Sequence, residues 1–476
     1  MNECFRNILG TLPLPSSGCL VHRLPIEILA QIFMFCLSLR MPLLGNRAPS
    51  ASGNQVPLLL CHVCSSWRQI ALQTRALWTS LVMEISLEDT WEVPERHSQV
   101  ASHWFSQAGS HLVDLVVRSD VNPESDTSFH VPDNRYLVDF MMQLVRPRVE
   151  RIRSLHLSFQ GLYDICCLLQ FQDDEDVLPH HVWSFPNLEY LTLKLGIYVV
   201  EGVELTALQS LPKLHTVVLS SIIISHEGDI HLPWAQLTSL TIHDIDAPIF
   251  RILVAQFVAL ETGCFSIRDP DFEEELPTVN VTLTRLTTFI IYYVNDFAPS
   301  ILDGIHFPAL DNLTLFLNNS VWTAPEHIFR QLASITTLSL GEHIAALDMI
   351  NILRAANNVT KFQVEVEDGH GEVLKALTLT RESENQEVLL PKLRVMHVRT
   401  CPRSDSEPFA VVAFVEMVAS RSPSGVEAFG VAPLREVCLA IPEYSDMLVA
   451  EVDALLEQWA HKADMPQVRY EDYEEY

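Results

Sequence analysis

One spacing returns along most of this chain: an apolar residue, two others, a second apolar residue, one other, a third apolar residue. It reads Leu112/Leu115/Val117, Ile152/Leu155/Leu157, Leu188/Leu191/Leu193, Leu214/Val217/Leu219 and Leu237/Leu240/Ile242. It continues as Leu286/Phe289/Ile291, Leu310/Leu313/Leu315, Ile335/Leu338/Leu340, Val359/Phe362/Val364, Leu393/Met396/Val398 and Leu434/Val437/Leu439, with a degenerate copy at Leu260, Phe265 and Ile267. From Leu188 to Val359 successive copies start about 23 to 26 residues apart. A unit that short cannot bury its apolar side alone, so the copies must stack.

The period lies in the leucine-rich-repeat range. The expected unit is one short strand whose first and last marked residues point inward, closed by a return segment of helix or loop. Prolines precede several strands, as in Phe185-Pro186-Asn187, Leu211-Pro212-Lys213, Phe307-Pro308-Ala309 and Leu390-Pro391-Lys392. The fold class expected is α/β, a leucine-rich-repeat-like solenoid with a parallel sheet. An ordinary α/β domain is the competing reading, and the number of copies at a regular period argues against it. Only Asn318 falls where a regular repeat places an asparagine ladder, so the array is degenerate.

Ahead of the repeats the period changes. Pro25 suits the first turn of a helix, where its missing N–H has no partner to lose. Ile28, Leu29, Ile32, Phe33 and Cys36 then recur at helical spacing. A stretch with Pro42, Gly45, Pro49, Gly53 and Pro57 reads as a loop. A second helical pattern carries Leu60, Cys64, Trp67 and Ala71, and a shorter element ends in Leu77, Trp78 and Leu81. Three short helices cannot bury all these side chains among themselves, and an apolar surplus of that size marks a docking face. The plainer alternative is that the face packs on the rest of the chain.

Three segments in order, Leu24-Pro25-Ile26-Glu27-Ile28-Leu29, Val63-Cys64-Ser65-Ser66-Trp67-Arg68-Gln69-Ile70-Ala71 and Leu77-Trp78-Thr79-Ser80-Leu81, resemble an F-box. The likeness is closest to the F-box-like proteins of mushroom-forming fungi, which carry a long loop after the first helix. The resemblance implies a three-helix F-box that binds a Skp-type adaptor and, through it, cullin and RING subunits of a ubiquitin ligase. Carried over by position, Leu24, Pro25, Ile28, Leu29, Ile32, Phe33, Val63, Cys64 and Trp67 line or support the adaptor contact, and Trp78 and Leu81 pack internally. The chain is then a non-catalytic substrate receptor whose repeats hold a protein client. A ligase-independent scaffold is the alternative. The organisation expected is a flexible terminus over 1–20, the F-box over 21–82, a connecting helical segment over 83–110, the repeats over 111–465 and an acidic tail over 466–476. The connecting segment contains a helix through Trp104 that ends at Gly109.

Composition narrows the partners. A formal net charge of −29 in 476 residues argues against nucleic acid, which demands a surplus of Lys and Arg, and against anionic membrane surfaces. Acidic runs such as Asp173 to Asp176, Asp269 to Glu275 and Glu471 to Glu475 read as solvated segments. No secretory signal is read near the start, and the apolar run from Phe409 to Ala419 is too short to span a bilayer. The ten cysteines are therefore expected as free thiols in the cytoplasm, the nucleus or both.

No catalytic, metal-binding or cofactor motif is read. Cys61-His62-Val63-Cys64 has the C-x-x-C form without a second ligand pair, and Cys166-Cys167 reads as buried filling. The residues that alternate with the inward ones face outward on the sheet. For client contact these give His156, Lys194, His243, Tyr292, Phe316 and Arg399. Exposed aromatic and arginine side chains dominate binding energy at interfaces. Covering of several of them by loops is the alternative.

Overall fold

The computed structural model describes residues 24–38, 56–85, 93–119, 143–158, 184–194, 211–220, 222–224, 231–268, 276–293, 301–317, 326–341, 344–366, 371–380, 388–400, 409–427, 429–442, 446–460 and 466–473. The expectations for the acidic runs at Asp173 and Asp269, for Cys166-Cys167, for the loop from Pro42 to Gly53 and for Asn318 lie outside them. The chain divides into two compact units, Met1–Pro123 with Asp139–Ser154, and Glu124–Val138 with Leu155–Tyr476.

In the first unit helix α1 (Ile26–Ser38) begins directly after Pro25, whose carbonyl accepts from the N–H groups of Ile28 and Leu29. Leu29 and Phe33 face inward, and the Phe33 ring packs 4.9 Å from that of Trp67. The expected second helix is two helices, α2 (Leu58–Val63) and α3 (Ser65–Gln73). Cys64 between them is extended, with φ −161° and ψ 170°, and its Sγ accepts from the Trp67 N–H. A break leaves helix-end carbonyls without partners. Arg68 Nε meets one of them, donating to Cys61 O at 2.9 Å.

Leu81, expected to close a helical element, lies instead in strand β1 (Ser80–Ile85). Helix α4 (Val93–Gln107) follows, ends next to Gly109 with its φ of 62°, and leads to β2 (Val113–Ser119). β1 and β2 pair in parallel with Leu81 opposite Leu115 and Met83 opposite Val117. The segment is thus a β-α-β unit, with α4 crossing over between paired strands. Trp104 of α4 donates Nε1–H to Ser80 O at 3.1 Å and sets its ring edge-on to Trp78. Arg153, on the first part of β3 (Ile152–Ser158), bonds Asp114 of β2 through both Nε and a terminal nitrogen.

The second unit contains the later strands: β4 (Tyr190–Lys194), β5 (Thr216–Ser220), β6 (Ser239–Asp246), β7 (Thr262–Arg268), β8 (Val281–Thr282), β9 (Thr288–Tyr293), β10 (Ile305–His306), β11 (Asn312–Leu317), β12 (Thr337–Leu340), β13 (Lys361–Val366), β14 (Val395–Thr400), β15 (Glu436–Pro442) and β16 (Val468–Tyr473). Among the described residues β8 and β10 pair only with each other, and from β4 onward the rest follow chain order in one parallel sheet. β16 uses residues expected in an acidic tail. The fold is α/β with coiled, stacked turns.

Register explains the spacing. Leu191, Val217, Leu240, Gly263, Phe289, Leu313, Leu338, Phe362, Met396 and Val437 stand in line across the sheet, and the residues two further on form a second line. Both lines are buried. The expected inward pair, first and last, is buried, and the middle residue joins them: the middle and last alternate on the strand, while the first, such as Leu188, lies in the turn before it and not on the strand. In the degenerate copy Gly263 takes the place of a large apolar residue. The Phe265 ring occupies that space, since a Cβ on Gly263 would come within 2.7 Å of it.

Two backbone devices recur. One carbonyl per turn accepts two N–H groups from the next turn: His215 O from Thr238 and Ser239, Glu261 O from Thr287 and Thr288, Asp311 O from Thr336 and Thr337. From Leu188 to Leu393 each first marked residue also bonds back three residues, as Leu214 N to Leu211 O and Leu310 N to Phe307 O, whereas Leu434 N reaches Arg421 O. Pro212 and Pro308 fall second in these turns, where a φ near −65° is favourable. The turn-opening residues Phe185, Leu211, Trp234, Phe257, Leu283, Phe307, Leu332, Ala356 and Leu390 make a further buried column.

The return segments hold helices α5 (Ala247–Val254), α6 (Glu326–Leu332), α7 (Ala346–Ala355), α8 (Gly371–Leu377), α9 (Val411–Ser420) and α10 (Asp446–Ala460), of which α7 to α10 pack in succession. Arginine satisfies carbonyls where these segments leave them buried. Arg251 donates to Pro277 O and Ile301 O, and the fully buried Arg421 donates to Leu377 O, Leu389 O and Leu390 O.

Candidate protein-binding surfaces

α1 is apolar on two sides. Leu29 and Phe33 turn inward, whereas Ile28, Ile32 and Phe35 follow one another at helical spacing on an exposed stripe, Phe35 being 67% exposed. Leu24 and Ile26 extend that apolar exposure at the start of the helix, and α2 adds Leu59 and Val63. Of the residues expected at an adaptor contact, Leu24, Pro25, Ile28, Ile32 and Val63 are exposed, and Cys64 and Trp67 are half-buried. Leu29 and Phe33 are core residues that support the stripe from beneath. Ile26, Phe35 and Leu59 were not singled out by the motif. Phe35 was legible, standing seven residues after Ile28.

The Cys61 thiol is pushed up by burial and opposed by Arg68, so it is a neutral packing group. Among the described residues no cluster of three His, Cys, Asp or Glu side chains could hold a metal.

In the second unit the sheet's other face carries the residues expected to meet a client. Lys194, His243, Tyr292, Phe316 and Arg399 each follow the second buried residue of their strands. Register links several of them through neighbours: His243 stands opposite Ser266, Ser266 opposite Tyr292, and Tyr292 opposite Phe316. Farther along, Glu365 stands opposite Arg399. His156 differs. It lies between the buried Leu155 and Leu157, two residues earlier in its strand than the others.

The centre of this row is aromatic. Tyr292 and Phe316 stack with ring centroids 4.9 Å apart and planes 3° from parallel. Phe316 leans over Gly341, where a Cβ would meet its ring at 2.6 Å, so glycine is needed there for the close approach. Burial, then Cys264, then Glu365 raise the Tyr292 phenol above its usual range, which keeps its hydroxyl a neutral donor. Burial pushes the Cys264 thiol, one row below Ser266, up to about 11.

The row's flanks are electrically matched. Asp246 accepts from Arg268 at 2.6 Å, Glu365 from Arg399 at 2.9 Å and Glu436 from Arg469 at 3.2 Å, each pair joining neighbouring strands. Glu365, Ser266, Gly341 and Cys264 were missed by sequence reasoning. Their signal was the register, since each stands one or two positions from a residue that was chosen.

No helix among the described residues is long and apolar enough to cross a membrane. No family model matches the sequence, and no curated protein matches it.

Proposed function

We propose that this chain is a non-catalytic substrate-receptor subunit of a cullin–RING ubiquitin ligase. Helices α1 to α3 act as an F-box that docks a Skp-type adaptor, and the strands act as leucine-rich-repeat-like turns that hold a protein client. One observation carries the reading. On helix α1, which starts within the segment Leu24-Pro25-Ile26-Glu27-Ile28-Leu29, Ile28, Ile32 and Phe35 form an apolar stripe left open beside a filled core. A stripe of that kind is expensive to expose and favours burial by a partner. The ligase chemistry belongs to the ubiquitin-conjugating enzyme. This chain contributes proximity, raising the effective concentration of a client lysine near the activated ubiquitin.

Co-expression of the full chain with a Skp-type adaptor tests the reading. The wild type is expected to co-purify with it, and Ile28→Glu with Ile32→Glu is expected to lose it while keeping its circular dichroism and unfolding midpoint. Equal adaptor recovery from the folded double variant sinks the proposal.

A further inference from the structure

On the sheet face of the second unit that lies opposite the buried lines, the row that runs from β6 to β11 is a ladder of planar side chains with one rung reduced. His243, Ser266, Tyr292 and Phe316 occupy successive strands in register. Tyr292 and Phe316 stack at 4.9 Å, the width of a single strand step. His243 and Tyr292 are separated by two such steps, about 9.6 Å. Between them Ser266 contributes only a hydroxymethyl group. A planar side chain above Ser266 would therefore stand one step from His243 and one step from Tyr292, repeating the spacing that Tyr292 and Phe316 already show.

The backbone sets this place apart. Directly after His243 the β6–β7 register shifts, Asp244 having a φ of 77°. An added residue of this kind bends a strand and redirects the side chains beside it. The ring that forms the other wall, Tyr292, is 38% exposed, a large fraction for an aromatic side chain already stacked on one face.

Charge selects the class of visitor. The chain as a whole is strongly acidic, yet two of the carboxylates beside this row are paired: Asp246 is held by Arg268, and Glu365 by Arg399. Nothing in those pairs favours a cation from outside over a neutral ring. Below Ser266 lies the thiol of Cys264, a soft and weakly polar floor. We propose that the position above Ser266 is a specificity slot for one aromatic side chain, presented by an extended, uncharged segment of a protein client. The proposal rests on the reading that this face holds the client, and it names what that client must display.

A random peptide library displayed on phage, panned against the full-length chain, tests it. Wild type is expected to enrich peptides with Phe, Tyr or Trp at one fixed place amid uncharged neighbours. Ser266→Trp, which fills the slot with its own indole, is expected to weaken the selected peptides about tenfold or more, and Tyr292→Ala, which removes a wall, to do likewise. Ser266→Leu serves if the tryptophan variant does not fold. Failure to enrich any peptide, enrichment without an aromatic, or undiminished binding by folded Ser266 variants overturns the slot. Adaptor capture is read on the same preparations. Its loss with peptide selection intact removes the ligase reading alone, and the reverse result removes the slot alone.

Discussion

Glu365 and Arg399 face one another across β13 and β14, and Arg399 donates to the Glu365 carboxylate at 2.9 Å while Glu365 is almost wholly buried. The same carboxylate helps to raise the Tyr292 phenol. One ion pair therefore anchors two strands and adds, after burial and Cys264, to the surroundings that raise the Tyr292 phenol.

Removing each partner has different consequences. Arg399→Ala strands a buried carboxylate and is expected to lower stability by about 1–3 kcal/mol in urea unfolding. Glu365→Gln removes the charge and is expected to lower the Tyr292 ionisation, seen by ultraviolet difference titration. An unmoved Tyr292 titration would show that the carboxylate is screened from the ring.

Arg421 is fully buried against three carbonyls, and burial pulls its ionisation down to about 10. Arg421→Met removes a costly buried charge but leaves the carbonyls of Leu377, Leu389 and Leu390 without that donor. The second effect should win, with a loss of about 2–4 kcal/mol, because three buried acceptors are affected at about 1–3 kcal/mol each less the charge's own burial cost. Chemical denaturation of the two proteins measures it, and an equally stable Met variant would refute the clamp.

Cys264 and Cys438 are both pushed up to about 11, burial being the main cause. A thiol whose ionisation is raised in the folded state contributes stability that is complete below its unfolded value near 9 and lost as pH climbs to 11. Unfolding midpoints should thus fall across that window, less steeply in a Cys264→Ala, Cys438→Ala double variant. At pH 8, alkylation mapped by mass spectrometry should find both thiols about tenfold slower than in the unfolded chain, the scarcer thiolate outweighing its greater nucleophilicity. Reaction at the unfolded rate would contradict the burial assigned to them.

Gly263 breaks the apolar pattern, yet restoring a large residue there should harm the protein. Gly263→Leu drives a side chain into the Phe265 ring and is expected to cost about 1–3 kcal/mol. Phe265→Leu in the same chain should recover part of the loss, since it frees the contested space. Additive effects of the two changes in thermal unfolding would contradict the contact.

The sheet was legible because burial on one face forces a period, and Leu191, Val217 and Leu240 obey it. What escaped notice was a copy hidden under another pattern. Trp78, Leu81 and Met83 have the repeat spacing and are buried, but helical spacing in the residues before them drew Leu81 into a helix. The break at Cys64 escaped for a related reason: Leu60, Cys64, Trp67 and Ala71 fit one helical face, and periodicity is blind to a single extended residue. The column from Phe185 to Leu390 sits three residues ahead of each copy and was marked only by its prolines. At the candidate site the rings of Tyr292 and Phe316 stood out by residue type. Ser266 and Gly341 matter for what they lack, which a single sequence gives little means to notice.

The forked carbonyls, each serving two N–H groups of the following turn, make coil number and coil alignment separate matters. Excising one full period, for instance from Glu261 through Leu286, would bring Thr238 to the donors now at Thr287 and Thr288 and leave every later fork intact. Losing a single amino acid inside a strand would instead flip the alternation from that point to the strand's end. Descendants of this chain can therefore lengthen or shorten the sheet by whole windings, while small insertions and deletions are confined to the segments between strands.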